Sequence, residues 1–143
     1  MAREFKENSQ AVQSHLTIIQ NVIQRMASNS SASKAWCITL VSAILVIIAD
    51  KSKVDYAWIA ILPTVLFLTL DSYYLALEKG FRNSYNVFIE KLHSEELEQA
   101  DLFVVVPTGG LLKLFLSSLI SFSVWPFYGV IIAMIVVARY FIL

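Results

Sequence analysis

The sequence predicts an all-α membrane protein with three transmembrane helices, an amphipathic N-terminal helix and a cytoplasmic helical stalk that extends the second span. Three observations carry that prediction. Hydrophobic residues make up 57% of the 143-residue chain and charged residues only 15%, against about 45–50% and roughly 25% in an ordinary soluble domain. The mean hydropathy is +0.66, and the apolar residues come in long blocks separated by polar turns. Charges gather at the edges of those blocks. The formal net charge is zero, so no global field draws in nucleic acid, and no such partner is expected.

The first element is an amphipathic cytoplasmic helix over 9–28. "SQAVQSHLTIIQNVIQRM" places Val12, Leu16, Ile19, Val22, Ile23 and Met26 at helical spacing. Its polar face carries little charge, so packing against the stalk or a second subunit is expected over lying flat on lipid. "ASNSSAS", 27–33, reads as a linker of small residues, with a bent continuation into the next helix expected. The first span is placed at 34–49. Its apolar core from Ala35 to Ala49 covers about 22 Å, short of the ~30 Å hydrocarbon layer unless the small residues before it extend it. The polar segment before it and the absence of a convincing A-x-A site argue against a cleaved signal peptide.

"DKSKVD", 50–55, is a tight polar turn. The second span, 56–74, follows with Trp58 as an interfacial anchor and Pro63 predicting a kink or a locally opened hydrogen bond. Tyr73 and Tyr74 suit the headgroup level at its inner end. Nothing there stops the helix, so it continues as a stalk to 92, with Glu78 and Arg82 as an i, i+4 pair. Residues 93–110 combine an acidic patch (Glu95, Glu96, Glu98, Asp101) with "LFVVVP", which has strand composition, and a "PTGG" turn. A lone strand has to pair with another chain, pack as an extended segment or stay poorly ordered. Residues 111–122 are too short for an ordinary span and contain Lys113, which favours an interfacial or re-entrant helix; a fourth span there is the alternative. The last span, 124–143, opens on Trp125-Pro126.

Orientation follows from the basic residues. With the N-terminus in the cytoplasm, Arg3, Lys6, Arg25, Lys34, Lys79, Arg82, Lys91 and Lys113 lie inside and only Lys51, Lys53 and Arg139 outside. That satisfies the positive-inside bias and puts the C-terminus outside.

Candidate site residues fall at the two boundaries. Asp71 is the first charge along the second span, either a snorkelling, solvated boundary residue or one side of an ion pair, since a carboxylate at that depth is cheapest when paired. Arg25 and Lys34 on the first helix are its candidate partners, so Arg25, Lys34, Asp71, Glu78 and Arg82 form the expected inner-boundary ion-pair network. The outer boundary has Asp50, Asp55 and Arg139; Arg139 either snorkels outward with Tyr140 or pairs with one of the two aspartates. Trp36, Trp58, Tyr73, Tyr74 and Trp125 are the expected interfacial anchors. Catalytic chemistry is not in view. Histidines and the lone Cys37 are far apart, and no H-x-x-x-H, C-x-x-C, P-loop or G-x-G-x-x-G occurs. His15 and His93 read as ordinary helix-surface residues, Cys37 as a buried small hydrophobe, and no metal, cofactor or enzymatic activity is expected.

The stretch "HLTIIQNVIQRMASNSSASKAWCITLVSAIL", followed by "LDSYYLALEKGFRNSYN", resembles a widespread group of small bacterial inner-membrane proteins, over roughly residues 15–90. A weaker echo lies at "SFSVWPFY". The chain is more distantly similar to small multi-span proteins that assemble as rings, octamers among them, and to membrane effectors of antiphage systems. That resemblance implies a homo-oligomer in the inner membrane, and assigns no functional residues. Three functions are therefore expected in competition. The first is a homo-oligomeric membrane-disrupting or pore-forming effector in antiphage defence. The second is a membrane-anchored sensor or scaffold holding a soluble cytoplasmic partner through its stalk. The third is a small transporter or assembly factor.

Overall fold

The computed structural model describes residue 7 and residues 9–51 and 54–142. Arg3, Lys6 and Lys53, which enter the charge bias, lie outside these. Helix α1 runs without interruption from Gln10 to Lys51, about 63 Å at 1.5 Å per residue. The Ser9 hydroxyl opens it by accepting the Val12 amide at 3.3 Å. No Gly or Pro interrupts it. Its buried positions, Val12, His15, Ile19, Met26, Ser30, Ser33, Cys37, Val41 and Ile48, recur at intervals of three, four or seven residues, which keeps them on one face along the whole length. The expected linker at 27–33 is therefore a correction: those small residues stay helical because Ser30 and Ser33 continue the buried stripe.

Val54–Ala60 forms a 3-10 turn before helix α2, Ile61–His93. The beginning of the segment expected as the second span is thus 3-10, changing to α-helix two residues before Pro63. Pro63 is the third residue of α2, where the missing N–H has no intrahelical acceptor to lose. From there α2 runs straight through Asp71 into the stalk and pairs along its length with α1.

Residues 93–110 return along the stalk. Gln99–Asp101 make a short 3-10 turn, and an extended strap follows with no strand among the described residues. The strap is held by side chains and by a backbone contact to α2 in place of a sheet. Ser84 donates to the Val106 carbonyl, and Thr108 N–H reaches the Gly80 carbonyl at 3.0 Å. Pro107 presses on Gly80, where an added Cβ would lie 2.7 Å from Pro107 Cβ. Gly109, at φ +110°, makes the turn into α3.

Helix α3 covers Leu111–Leu119, shorter than the 111–122 expected. A turn then leads to α4, Trp125–Val137, which ends in a π-type turn at Ala138–Ile142. Two cores result. One joins α1, α2 and α4 through Cys37, Val41, Ala60, Val124, Tyr128, Ile131 and Ile135. The other, at the stalk end, gathers Val12, Phe88 and Leu92 with Leu16, Leu97 and Leu102 packed on them.

Two helical stretches, Gln10–Asp50 and Asp55–His93, are long and apolar enough to cross a membrane, and only 22% and 28% of their most apolar windows are buried. The core helix of a soluble protein would be mostly covered. Here the apolar side chains face outward, Val46, Ile47, Leu62 and Leu66 among them.

Candidate functional site

The only aspartate inside α2 is the centre of a buried polar cluster. Asp71 is 0% exposed, and it faces α1 where that helix buries the small polar residues Ser30 and Ser33. Ser30 donates its hydroxyl to Asp71 Oδ1, and Lys34 Nζ lies 2.6 Å from Oδ2. Lys34 Nζ also donates to Ser30 Oγ at 3.4 Å. Ser30 and Lys34 are i, i+4 neighbours, so one face of α1 delivers both groups to the same carboxylate. The approach of Lys34 to Oδ2 is oblique, giving an ion pair without a directed hydrogen bond at that oxygen. Lys34 remains 21% exposed, so the ammonium reaches from the edge of the bundle into its interior.

Two further groups complete the surroundings. Tyr128 of α4 is buried and donates its hydroxyl to the Phe67 carbonyl at 3.0 Å, one turn from Asp71. Ser72 is fully buried, with its Oγ unpartnered. The arrangement is suited to fixing the register of three helices. An ion pair in low dielectric is lost as a unit when one partner goes, because the remaining charge has no water to replace it.

Of the other inner-boundary residues, Glu78 and Arg82 contact each other at 2.9 Å on the outside of the stalk, away from Asp71. Arg25 is exposed and is not brought to Asp71; Lys34 occupies that place. At the opposite end Arg139 Nη2 meets Asp55 at 2.6 Å, and its guanidinium lies 5.3 Å from the Tyr140 ring centroid. Asp55 is 89% exposed, and Asp50 is exposed at the end of α1 without joining this pair. The aromatic residues sort by end. Trp36, Tyr73, Tyr74 and Trp125 lie near the level of the Lys34–Asp71 pair, and Trp58 lies near the Asp55–Arg139 pair. Trp36, Trp58, Tyr73 and Trp125 are all exposed.

The stalk holds a residue that spacing alone missed. His15 is 1% exposed, which corrects the expectation of a helix-surface histidine. Its ring lies 4.1 Å from that of Phe88, and its Nδ1 accepts the Phe103 amide at 2.9 Å. The acceptor role requires an unprotonated Nδ1. Burial lowers the His15 pKa below its ordinary value, partly offset by the nearby Asp101 carboxylate. Phe103 takes φ +64°, an uncommon conformation for a bulky residue. Asp101 accepts Lys91 Nζ at 2.7 Å, and the Glu98 amide caps onto it at 3.0 Å. Those contacts, led by Lys91, hold the Asp101 carboxyl below its usual range. Asp101 is thus a structural anchor for the strap within the acidic segment. His93 is exposed near Glu7.

Among the described residues no group of three or more His, Cys, Asp or Glu side chains is placed to hold a metal. Cys37 is a buried free thiol. Comparison with known proteins finds no matching family model, no matching curated protein and no matching solved structure.

Proposed function

We propose that the chain is an integral protein of the bacterial inner membrane, crossing it three times through α1, α2 and α4, and that it acts as a homo-oligomeric effector that breaches this membrane. The observation that carries the reading is the low burial of its most apolar helices around a filled interior. Exposed apolar side chains cover the outside of α1, α2 and α4, which in water would be an aggregation surface. Inside, Cys37, Val41, Tyr128, Ile131 and Ile135 pack against one another, so one copy encloses no water-filled path. Any path lies between copies. An apolar groove of about 480 Å³ between α1 and α4, floored by Ala49 and Ala133, offers a close-packing face for that assembly. The basic residues favour the stalk on the cytoplasmic side; the inner-membrane setting rests on the resemblance over residues 15–90, and the antiphage role on the more distant similarity to membrane effectors. The proposed role is non-catalytic.

A second reading has its own observation. The stalk end is a folded module with a separate core and a polar groove of about 480 Å³ bearing Gln20, Gln24, Arg82, Tyr85 and Asn86. That favours a soluble partner or signal on the stalk, as a scaffold would use, or as the trigger of the effector.

The test is reconstitution of the full chain into vesicles loaded with a self-quenching dye, alongside dye uptake by cells that overproduce it. The effector reading expects release that rises steeply with protein-to-lipid ratio. Intact vesicles and dye-tight cells, with the protein inserted, contradict it and leave the scaffold.

A further inference from the structure

Helix α3 presents an exposed apolar edge and, beside it, a basic flank with no carboxylate partner among the described residues. Leu112, Leu116 and Ile120 follow at i, i+4 and i+8, which makes one stripe, and all are exposed. The stripe continues into Phe122, 84% exposed, and Trp125. The opposite side of α3 is anchored: Leu114 reaches Gly80 and Gly109, and Ser118 is buried. The helix is therefore fixed against α2 with its apolar edge turned outward.

The basic flank is defined by two lysines. Lys79 of α2 donates to Ser117 Oγ at 3.4 Å. Lys113 is four residues before Ser117 and so shares that flank of α3. Neither lysine has a carboxylate partner among the described residues. The nearest acid in sequence, Glu78, is engaged by Arg82 at 2.9 Å. Lys79 at the Ser117 hydroxyl and the exposed Lys113 thus put two uncompensated positive charges on one flank of α3, which favours an anion there. Lys79 lies five residues beyond Tyr74 on α2, about 7.5 Å further along the helix, which in the orientation proposed above is the cytoplasmic edge of the inner headgroup layer.

We infer that this corner of α2 and α3 seats the headgroup of an anionic phospholipid of the inner leaflet, with Lys79, Lys113 and Ser117 on the phosphate and the Leu112–Leu116–Ile120 edge against its acyl chains. The inference rests on the membrane reading above and deepens it. Charge selects the occupant: a zwitterionic lipid brings its own cation to the lysines, and a soluble anion leaves the apolar edge uncovered. An amphipathic helix with cations on one flank is the arrangement that binds anionic membrane surfaces.

The experiment is native mass spectrometry of the full chain released from nanodiscs of mixed phosphatidylcholine and phosphatidylglycerol. Phosphatidylglycerol is expected to stay bound preferentially. Lys79→Gln and Lys113→Gln should each cut that preference roughly fivefold, whereas Lys91→Gln, at a lysine already paired with Asp101, should leave it unchanged. Lys79→Arg and Lys113→Arg should retain it. Equal retention of both lipids by the wild-type chain overturns the inference alone. So does displacement of the lipid by inorganic phosphate, or a second copy of the chain found in its place. A chain that retains no lipid of either kind overturns the membrane reading as well, and this inference with it.

Discussion

Replacing Lys34 by Met removes the cation from a carboxylate that has no other source of charge compensation. Asp71 is 0% exposed and is left with only the Ser30 hydroxyl. Breaking a buried ion pair by deleting one partner costs about 3–5 kcal/mol. Lys34 is itself 21% exposed, so its pairing is partly solvated and the lower figure of about 3 kcal/mol applies. That is roughly a hundredfold in the ratio of folded to unfolded chain. Asp71→Leu should cost less, because the freed ammonium extends outward to solvent. The informative variant is the double one, Lys34→Met with Asp71→Leu, which replaces the pair by apolar side chains of similar bulk and should return to within about 1 kcal/mol of wild type. Denaturation of the full chain in mixed detergent micelles, followed by tryptophan fluorescence, gives all four corners of the cycle. A Lys34→Met chain as stable as wild type, or a double variant as damaged as the sum of the singles, refutes the reasoning.

Acid should loosen the strap. His15 is neutral in the fold with its pKa lowered from 6.5, so its contribution is complete above about 6.5 and is lost as pH falls below that value, because the unfolded chain binds the proton first. The protection of the Phe103 amide, measured against its intrinsic exchange rate at each pH, should fall between pH 7 and about pH 5.5; equal protection at both contradicts the account. Gly80→Ala puts a Cβ 2.7 Å from Pro107, and the strap should shift at a cost of about 1–3 kcal/mol, read as faster proteolysis within 102–108. The Arg139–Asp55 pair is exposed on its acidic side, so Arg139→Ala should change stability by less than about 1 kcal/mol. If the oligomer conducts with Arg139 at its mouth, Arg139→Glu should invert the ion preference, and unchanged selectivity removes Arg139 from the path.

What the sequence made legible is what depends on composition and on local spacing. The helical class, the two long apolar helices and the stalk follow from block lengths and the absence of breakers after Leu68. Asp71 stood out because it is a lone charge on an apolar helix. Its partner was not legible, since Arg25 and Lys34 differ only in register, and register is set by how Ser30 and Ser33 let α2 approach. The same small residues look like a linker when read as composition, although their spacing from Met26 to Cys37 continues the stripe. His15 was misread because its polarity outweighed its position; Val12, His15 and Ile19 share a face as readily as Val12, Leu16 and Ile19. The strap shows the limit of propensity. "LFVVVP" has strand residues, but its long-range backbone partners are the side chains of His15 at Phe103 and Ser84 at Val106, neither of which a local window contains.

All of this depends on which half of the molecule meets lipid. Single cysteines placed at Asp55 and at Ser94 in a Cys37→Ala background, treated with a membrane-impermeant maleimide, test that directly. The account predicts labelling at 55 on intact spheroplasts and labelling at 94 only after the membrane is permeabilised. Equal labelling of both positions before permeabilisation, or recovery of the chain in the soluble fraction, contradicts it.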